Sequence, residues 1–191
     1  RRRQRGLQVD LVHDQDVADD VHPVSGQHAV DEACGDGLGV GQHGDGATVG
    51  ARLTSDPRVA GVCFTGSTDT ARIIRKAMAG NLAPGAPFIA ETGGLNAMIV
   101  DSTALPEQAV RDIIASAFQS AGQRCSALRC LYVQEDVAET ITGMLFGAMD
   151  ELALGDPWDL ATDIGPLIDE QAQAAIRAHV EAARADGRLL K

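Results

Sequence analysis

The chain has 191 residues, 45% of them hydrophobic, which is enough apolar material for one substantial core or parts of two smaller ones and argues against disorder throughout. Its formal net charge is -11 and its one basic cluster is the run at residues 1–5, so a nucleic-acid surface, which needs clustered Lys and Arg, is not expected. That run leads into Gln8, Asp10 and His13 and not into an apolar segment, and no stretch approaches the roughly 18–20 apolar residues of a membrane span, so a cytoplasmic chain with no span is expected.

Residues 1–43 show little sustained periodicity, and no element is predicted there. His13, His22, His28, Cys34 and His43 match none of the compact zinc spacings, so a polar loop without a metal is expected. Cys34, Cys63, Cys125 and Cys130 are sparse and irregularly spaced, which suits reduced thiols.

From Gly44 the chain alternates short apolar runs with amphipathic segments, the rhythm of an α/β protein. Residues 44–50 (GDGATVG) resemble a phosphate-cradling loop in which Gly46 and Gly50 let backbone N–H groups approach a ligand; a plain turn is the alternative. Residues 59–65 (VAGVCFT) predict a strand, followed by Gly66, Ser67 and a helix over 69–80. A helix start of this kind offers unpaired N–H groups to a pyrophosphate, and Ser67 is otherwise only an N-cap.

Residues 87–90 and 97–100 predict two short strands flanking 91–96 (ETGGLN), which is too Gly-rich to continue either. Glu91 stands at the end of an apolar run, where a partly desolvated carboxylate would suit a general base; the bland alternative is a solvated strand end. Pro106 is placed as a first helical residue, and Val110, Ile113, Ile114, Ala117 and Phe118 then recur on one face of a helix ending at 120–122. The tetrad GQRC follows, then a strand over 127–134, so Cys125 falls in a connection between two packed elements with Arg124 beside it, a setting for a reactive thiol. A buried, inert thiol is the alternative there, and it is the expectation for Cys63 and Cys130. Helices over 137–154 and 170–186, separated by the Pro-containing connection 155–166, complete the chain.

Together FTGST at 64–68, ETGG at 91–94, GQRC at 122–125 and GDPWDLATDIGPLI at 155–168 resemble the aldehyde dehydrogenase superfamily, in the order that family uses. The separation of Glu91 and Cys125, 125 - 91 = 34 residues, is also what the resemblance leads one to expect. Within the superfamily, residues 91–108 and 120–138 look most like L-glutamate γ-semialdehyde dehydrogenase, above all the form fused into the bacterial bifunctional proline-utilisation proteins, and Thr92, where many relatives carry Leu, points the same way.

The resemblance implies a partial α/β aldehyde dehydrogenase fold, with residues 44–89 belonging to a Rossmann-like NAD domain and 90–191 to a catalytic domain. It implies Cys125 as nucleophile and source of one oxyanion N–H, Glu91 as general base, and NAD as cofactor, with NADP not distinguished. Gly66 and Ser67 would form the pyrophosphate turn, with Gly46 and Gly50 in the loop before it, and Ser126 would line the aldehyde pocket. The substrate would be a small aldehyde, and a full-length relative is expected to be homo-oligomeric. Residues 1–43 lack the Lys and Asn motifs that the family places upstream, so a frameshifted or misjoined segment is expected there, and Lys191 precedes further family motifs. A fragment with little activity of its own is therefore expected, the alternatives being an inert interaction fragment or a cysteine acyl-transfer protein that uses no nicotinamide.

Overall fold

The computed structural model describes residues 6–10 and 46–191. The histidines and Cys34 considered above as metal ligands, and the upstream segment suspected of a frameshift except for 6–10, lie outside the described residues. In chain order the elements are β1 (Gly6–Asp10), a π-helical turn (Gly46–Gly50) running into α1 (Ala51–Thr54), β2 (Val62–Gly66), α2 (Thr68–Asn81), β3 (Phe88–Thr92), β4 (Asn96–Val100), α3 (Pro106–Phe118), a 3₁₀ turn (Gln119–Gly122), β5 (Leu128–Gln134), α4 (Glu135–Asp150) and α5 (Glu170–Ala185). The mixture is the expected α/β one. The described residues fall into two units, 46–93 and 6–10 with 94–191.

In the unit 46–93, β2 and β3 pair in parallel with Val62 opposite Phe88 and Thr65 opposite Glu91. The strand period of two sorts their side chains: Val62 and Phe64 are half-buried, and Cys63 and Thr65 are exposed. Helix α2, which runs between the two strands, packs on both of them. Only Thr54, Ala71 and Met78 of this unit are buried.

Three expectations change here. Cys63 is exposed and is not a core thiol, because the face of the sheet it occupies also carries the exposed Ile89. The segment GATVG is helical, with Gly50 at φ -59° and ψ -43°, so Gly46 and Gly50 lie on a helical turn and not in an open loop. Strand β3 runs on through Glu91 and Thr92, leaving only residues 93–95 to break it from β4.

The second unit is built on a sheet in the order β1-β5-β4, with β4 parallel and β1 antiparallel to β5. One face of β4 and β5 carries Val100, Leu128, Leu131 and Val133 into a core shared with Val110, Ile113, Ala117 and Phe118 of α3 and Ile141, Leu145 and Met149 of α4. These helix positions recur at the spacing that one helix face requires. The opposite face shows Ile99 and, across from it on β5, Tyr132. Cys130 is buried, as expected. Helix α4 stops at Asp150, short of the expected 154, because Leu154 leaves the helix to bridge Ile164.

Candidate active site

Cys125 lies between the 3₁₀ turn and β5, and its thiol is exposed. The Ala127 N–H donates to the Arg124 carbonyl at 3.1 Å, closing a β-turn over 124–127 with Cys125 and Ser126 at its two corners. Ser126 is exposed as well. The chain enters this turn through three consecutive left-handed residues, Ser120 at φ 59°, Ala121 at φ 52° and Gly122 at φ 65°. For Ser and Ala this conformation costs about 1–2 kcal/mol each, so it persists only where the surroundings fix it.

Four side chains do so. Arg124 Nη2 donates to the Ala115 carbonyl at 3.2 Å and to Gln119 Oε1 at 3.0 Å. Gln123 Nε2 donates to the Ser120 carbonyl at 3.2 Å and the Pro166 carbonyl at 3.4 Å, while its Oε1 accepts from the Ile168 N–H at 2.7 Å. Arg129 donates to the Gly122 carbonyl, and Asn96 Nδ2 donates to the carbonyls of Cys125 at 2.7 Å and Ala127 at 2.9 Å. The loop carrying the thiol is thereby tied to the end of α3, to the 155–168 connection and to β4. Arg124, expected to stand by the thiol, is drawn instead to a carbonyl in the last turn of α3, where helix carbonyls lack intrahelical partners.

Gly122 shows how tight the packing is. A Cβ placed there would meet the Ala117 carbonyl oxygen at 2.9 Å and Arg129 Nη1 at 3.0 Å. Arg129 is itself aimed by an irregularity in the sheet: Asn96 pairs with Leu128 but Ala97 with Cys130, so Arg129 is the extra residue of a β-bulge.

The other expected residues lie in the unit 46–93. Gly66 ends β2, and a Cβ there would come within 2.5 Å of the tip of the Phe64 ring, which would have to turn aside to admit it. Ser67 caps α2: its Oγ accepts from the Thr70 N–H at 3.1 Å. This leaves the N–H groups of Thr68 and Asp69, which have no partner within a helix, at the carboxyl end of a parallel strand, where α/β sheets place ligands. The exposed Asp69 carboxylate in that first turn is matched by Arg72 at 3.0 Å.

Glu91 stands opposite Thr65 on β3, next to the pair formed by Gly66 and Thr92, so Glu91 and the Gly66–Ser67 turn share one end of the sheet. Its carboxylate is exposed and not partly desolvated as expected, because the face of the sheet that it shares with Cys63 and Ile89 is open. Cys125 belongs to the other unit. Gly46 and Gly50 have nothing within 4 Å of an added Cβ, so neither is required there by crowding.

Sequence reasoning passed over Asn96, Gln123 and Arg129. Asn96 reaches across 29 and 31 residues of chain to its two acceptors and Gln123 across 43 and 45, and no local pattern signals such bonds.

The profile described as Aldehyde dehydrogenase family matches residues 38–190. Over 150 residues, 77% of the chain, it is 58% identical to the bifunctional protein PutA of Klebsiella aerogenes, and over 152 residues it is 38% identical to a 1-pyrroline-5-carboxylate dehydrogenase of Geobacillus kaustophilus. It spans 11% of the first relative's length and 29% of the second's. Among solved structures, proline utilization A of Bradyrhizobium japonicum superposes with a TM-score of 0.72 at 55% identity, over 74% of this chain and 14% of that one. A betaine aldehyde dehydrogenase of Staphylococcus aureus in complex with NAD+ superposes with a TM-score of 0.71 at 30% identity, over 75% of this chain and 28% of that one.

Proposed function

The chain belongs to the aldehyde dehydrogenase family, and from that premise we propose that it carries the catalytic cysteine and general base of an enzyme oxidising L-glutamate γ-semialdehyde to L-glutamate in proline catabolism. The observation that supports this most directly is the exposed Cys125 thiol at the corner of a turn held by side chains from three directions. A nucleophile needs access and a fixed position together, and a structural thiol needs neither. The named relatives support the substrate class, since they are PutA proteins and 1-pyrroline-5-carboxylate dehydrogenases.

In this reading the Cys125 thiolate adds to the aldehyde carbon, forming a C–S bond, and the Cys125 N–H donates to the oxygen that becomes an oxyanion. A nicotinamide dinucleotide, when bound, supplies the hydride acceptor that allows the adduct to become a thioester on Cys125. Gly66 and Ser67 would hold its pyrophosphate, since Gly66 has no side chain to stand between a ligand and the backbone and the start of α2 presents free N–H groups. Gly46 and Gly50 belong to the same cofactor side by resemblance, and NAD is preferred over NADP only because a neighbour is found with it. Glu91 takes a proton from the water that hydrolyses the thioester, releasing the acid and restoring the thiol. Ser126, the exposed residue beside Cys125, would face the substrate. We propose a cytoplasmic, homo-oligomeric enzyme; among the described residues no helix is long and apolar enough to cross a membrane.

The test joins the sequence to the segments that its full-length relatives carry, incubates the completed enzyme with NAD and L-glutamate γ-semialdehyde and follows covalent mass on Cys125, while the 191 residues alone should show little turnover. Glu91→Gln should let the thioester accumulate, with turnover slowed roughly 10²- to 10⁴-fold, as for a lost general base. Cys125→Ala should remove both adduct and NADH while leaving NAD binding in place. Without NAD only the thiohemiacetal should form, two hydrogens heavier than the thioester; an adduct that never advances to the thioester when NAD is added would count against the dehydrogenase reading, and the absence of any adduct on Cys125 would end the assignment.

A further inference from the structure

We propose that Asn96 is the positioning residue of the Cys125 nucleophile: its amide clamps the β-turn that carries the thiol and so sets the line along which sulfur meets a carbonyl carbon. This rests on the reading of Cys125 as the nucleophile. Asn96 opens β4, and its Nδ2 donates to the carbonyls of Cys125 at 2.7 Å and Ala127 at 2.9 Å, which uses both hydrogens of the amide. Those carbonyls belong to the peptide planes after Cys125 and after Ala127, so the clamp fixes the backbone on both sides of Ser126.

The turn's own closure is a single bond, Ala127 N–H to Arg124 carbonyl. Without Asn96 the carbonyls of Cys125 and Ala127 would lose this donor, since Gln123, Arg124 and Arg129 hold the chain before Cys125 and not the stretch 125–127. The geometry calls for an amide: a carboxylate of the same shape would face two carbonyl oxygens with no hydrogen to give. The clamp touches neither thiol nor substrate and acts only through the backbone of Cys125.

Positioning and mere exposure are separable by reaction type. Attack on an ester carbonyl needs alignment and an oxyanion donor, and a misplacement of about 1 Å can cost roughly 10²-fold, whereas alkylation of an exposed thiolate by a small reagent asks for much less. The experiment compares the whole chain with Asn96→Ala and Asn96→Ser in two reactions across pH. In the first, p-nitrophenyl acetate acylates Cys125: a sulfur–carbon bond forms, the ester C–O bond breaks and p-nitrophenolate leaves. In the second, iodoacetamide alkylates Cys125 with loss of iodide, and the exposed Cys63 serves as internal reference.

Asn96→Ala should slow acylation of Cys125 by about tenfold or more while alkylation changes by less than about threefold and keeps its pH profile. Asn96→Ser, which retains one donor, should lie between. Amide exchange should quicken at residues 124–127 and stay unchanged in β5. Equal losses in both reactions, unchanged acylation, or exchange that rises throughout β5 would each overturn the clamp. If Cys125 of the unaltered chain is inert to both reagents, the nucleophile reading fails and the clamp with it; clamp failure alone leaves that chain reactive.

Discussion

At the scale of single residues, the approach to Cys125 is held by positions with little room for change. Gly122→Ala would put a side chain at φ 65° and within 3.0 Å of both the Ala117 carbonyl and the Arg129 guanidinium. Left-handed strain alone accounts for roughly 1–3 kcal/mol, and with about 2–4 °C per kcal/mol for a chain of this size the melting temperature should fall by several degrees. A variant that melts with the parent would show that Gly122 is not confined. A second residue-scale test concerns Asp56, whose carboxyl is lowered from 3.8 to about 2, chiefly by the Arg58 side-chain hydrogen bond and then by the Arg58 N–H. Because the folded value lies below the unfolded one, the contribution is complete above about pH 4 and is lost as pH falls through about 2. Carboxyl NMR should give a midpoint near 2, and Arg58→Ala should move it back toward 3.8. Arg58 is exposed and Asp56 half-buried at the surface, so solvent screens the pair and global stability should barely respond.

At the scale of elements, Ser67 stands in two roles that one comparison separates. As the cap of α2, Ser67→Ala should destabilise the helix by about 0.5–2 kcal/mol and Ser67→Gly by only a few tenths, read as amide exchange in α2. A pyrophosphate contact through the hydroxyl would add an equal loss of NAD affinity in both variants, which the cap does not. The elements themselves were largely legible in the sequence. Pro106 marks the start of α3, and the apolar period of Val110, Ile113, Ala117 and Phe118 is the face that the core takes up. What escaped was whatever depends on a second layer. Alternation along β2 tells which residues share a face with Cys63, but not that this face is open, and the end of an apolar run looked like shelter for Glu91 where the strand in fact continues into solvent. Cys125 and Glu91 were singled out because ordered motifs around them resemble those of the family; Asn96 was passed over because its hydrogen bonds join segments far apart in the chain.

At the scale of the whole molecule, stability is unevenly shared. The unit holding Cys125 has a core of buried residues from β4, β5, α3 and α4, including Ile113, Leu131, Ile141 and Leu145, whereas the unit holding Glu91 buries only Thr54, Ala71 and Met78 among its described residues. Amide exchange should therefore open α2 and β3 well before α3 and β5, and chemical unfolding should depart from a single transition. Coincident protection across both units would contradict this.

The pairing of β1 with β5 joins Gly6 to Gln134, a separation of 134 - 6 = 128 residues, and β1 lies outside the stretch 38–190 that matches the family. On the ribosome this strand emerges early and its partner late. At about 5–20 residues per second, residues 6–10 wait roughly 6–25 s before Gln134 has been made. For that interval β1 is without the one strand it pairs with among the described residues, and a neighbouring polysome product with a finished β5 offers one.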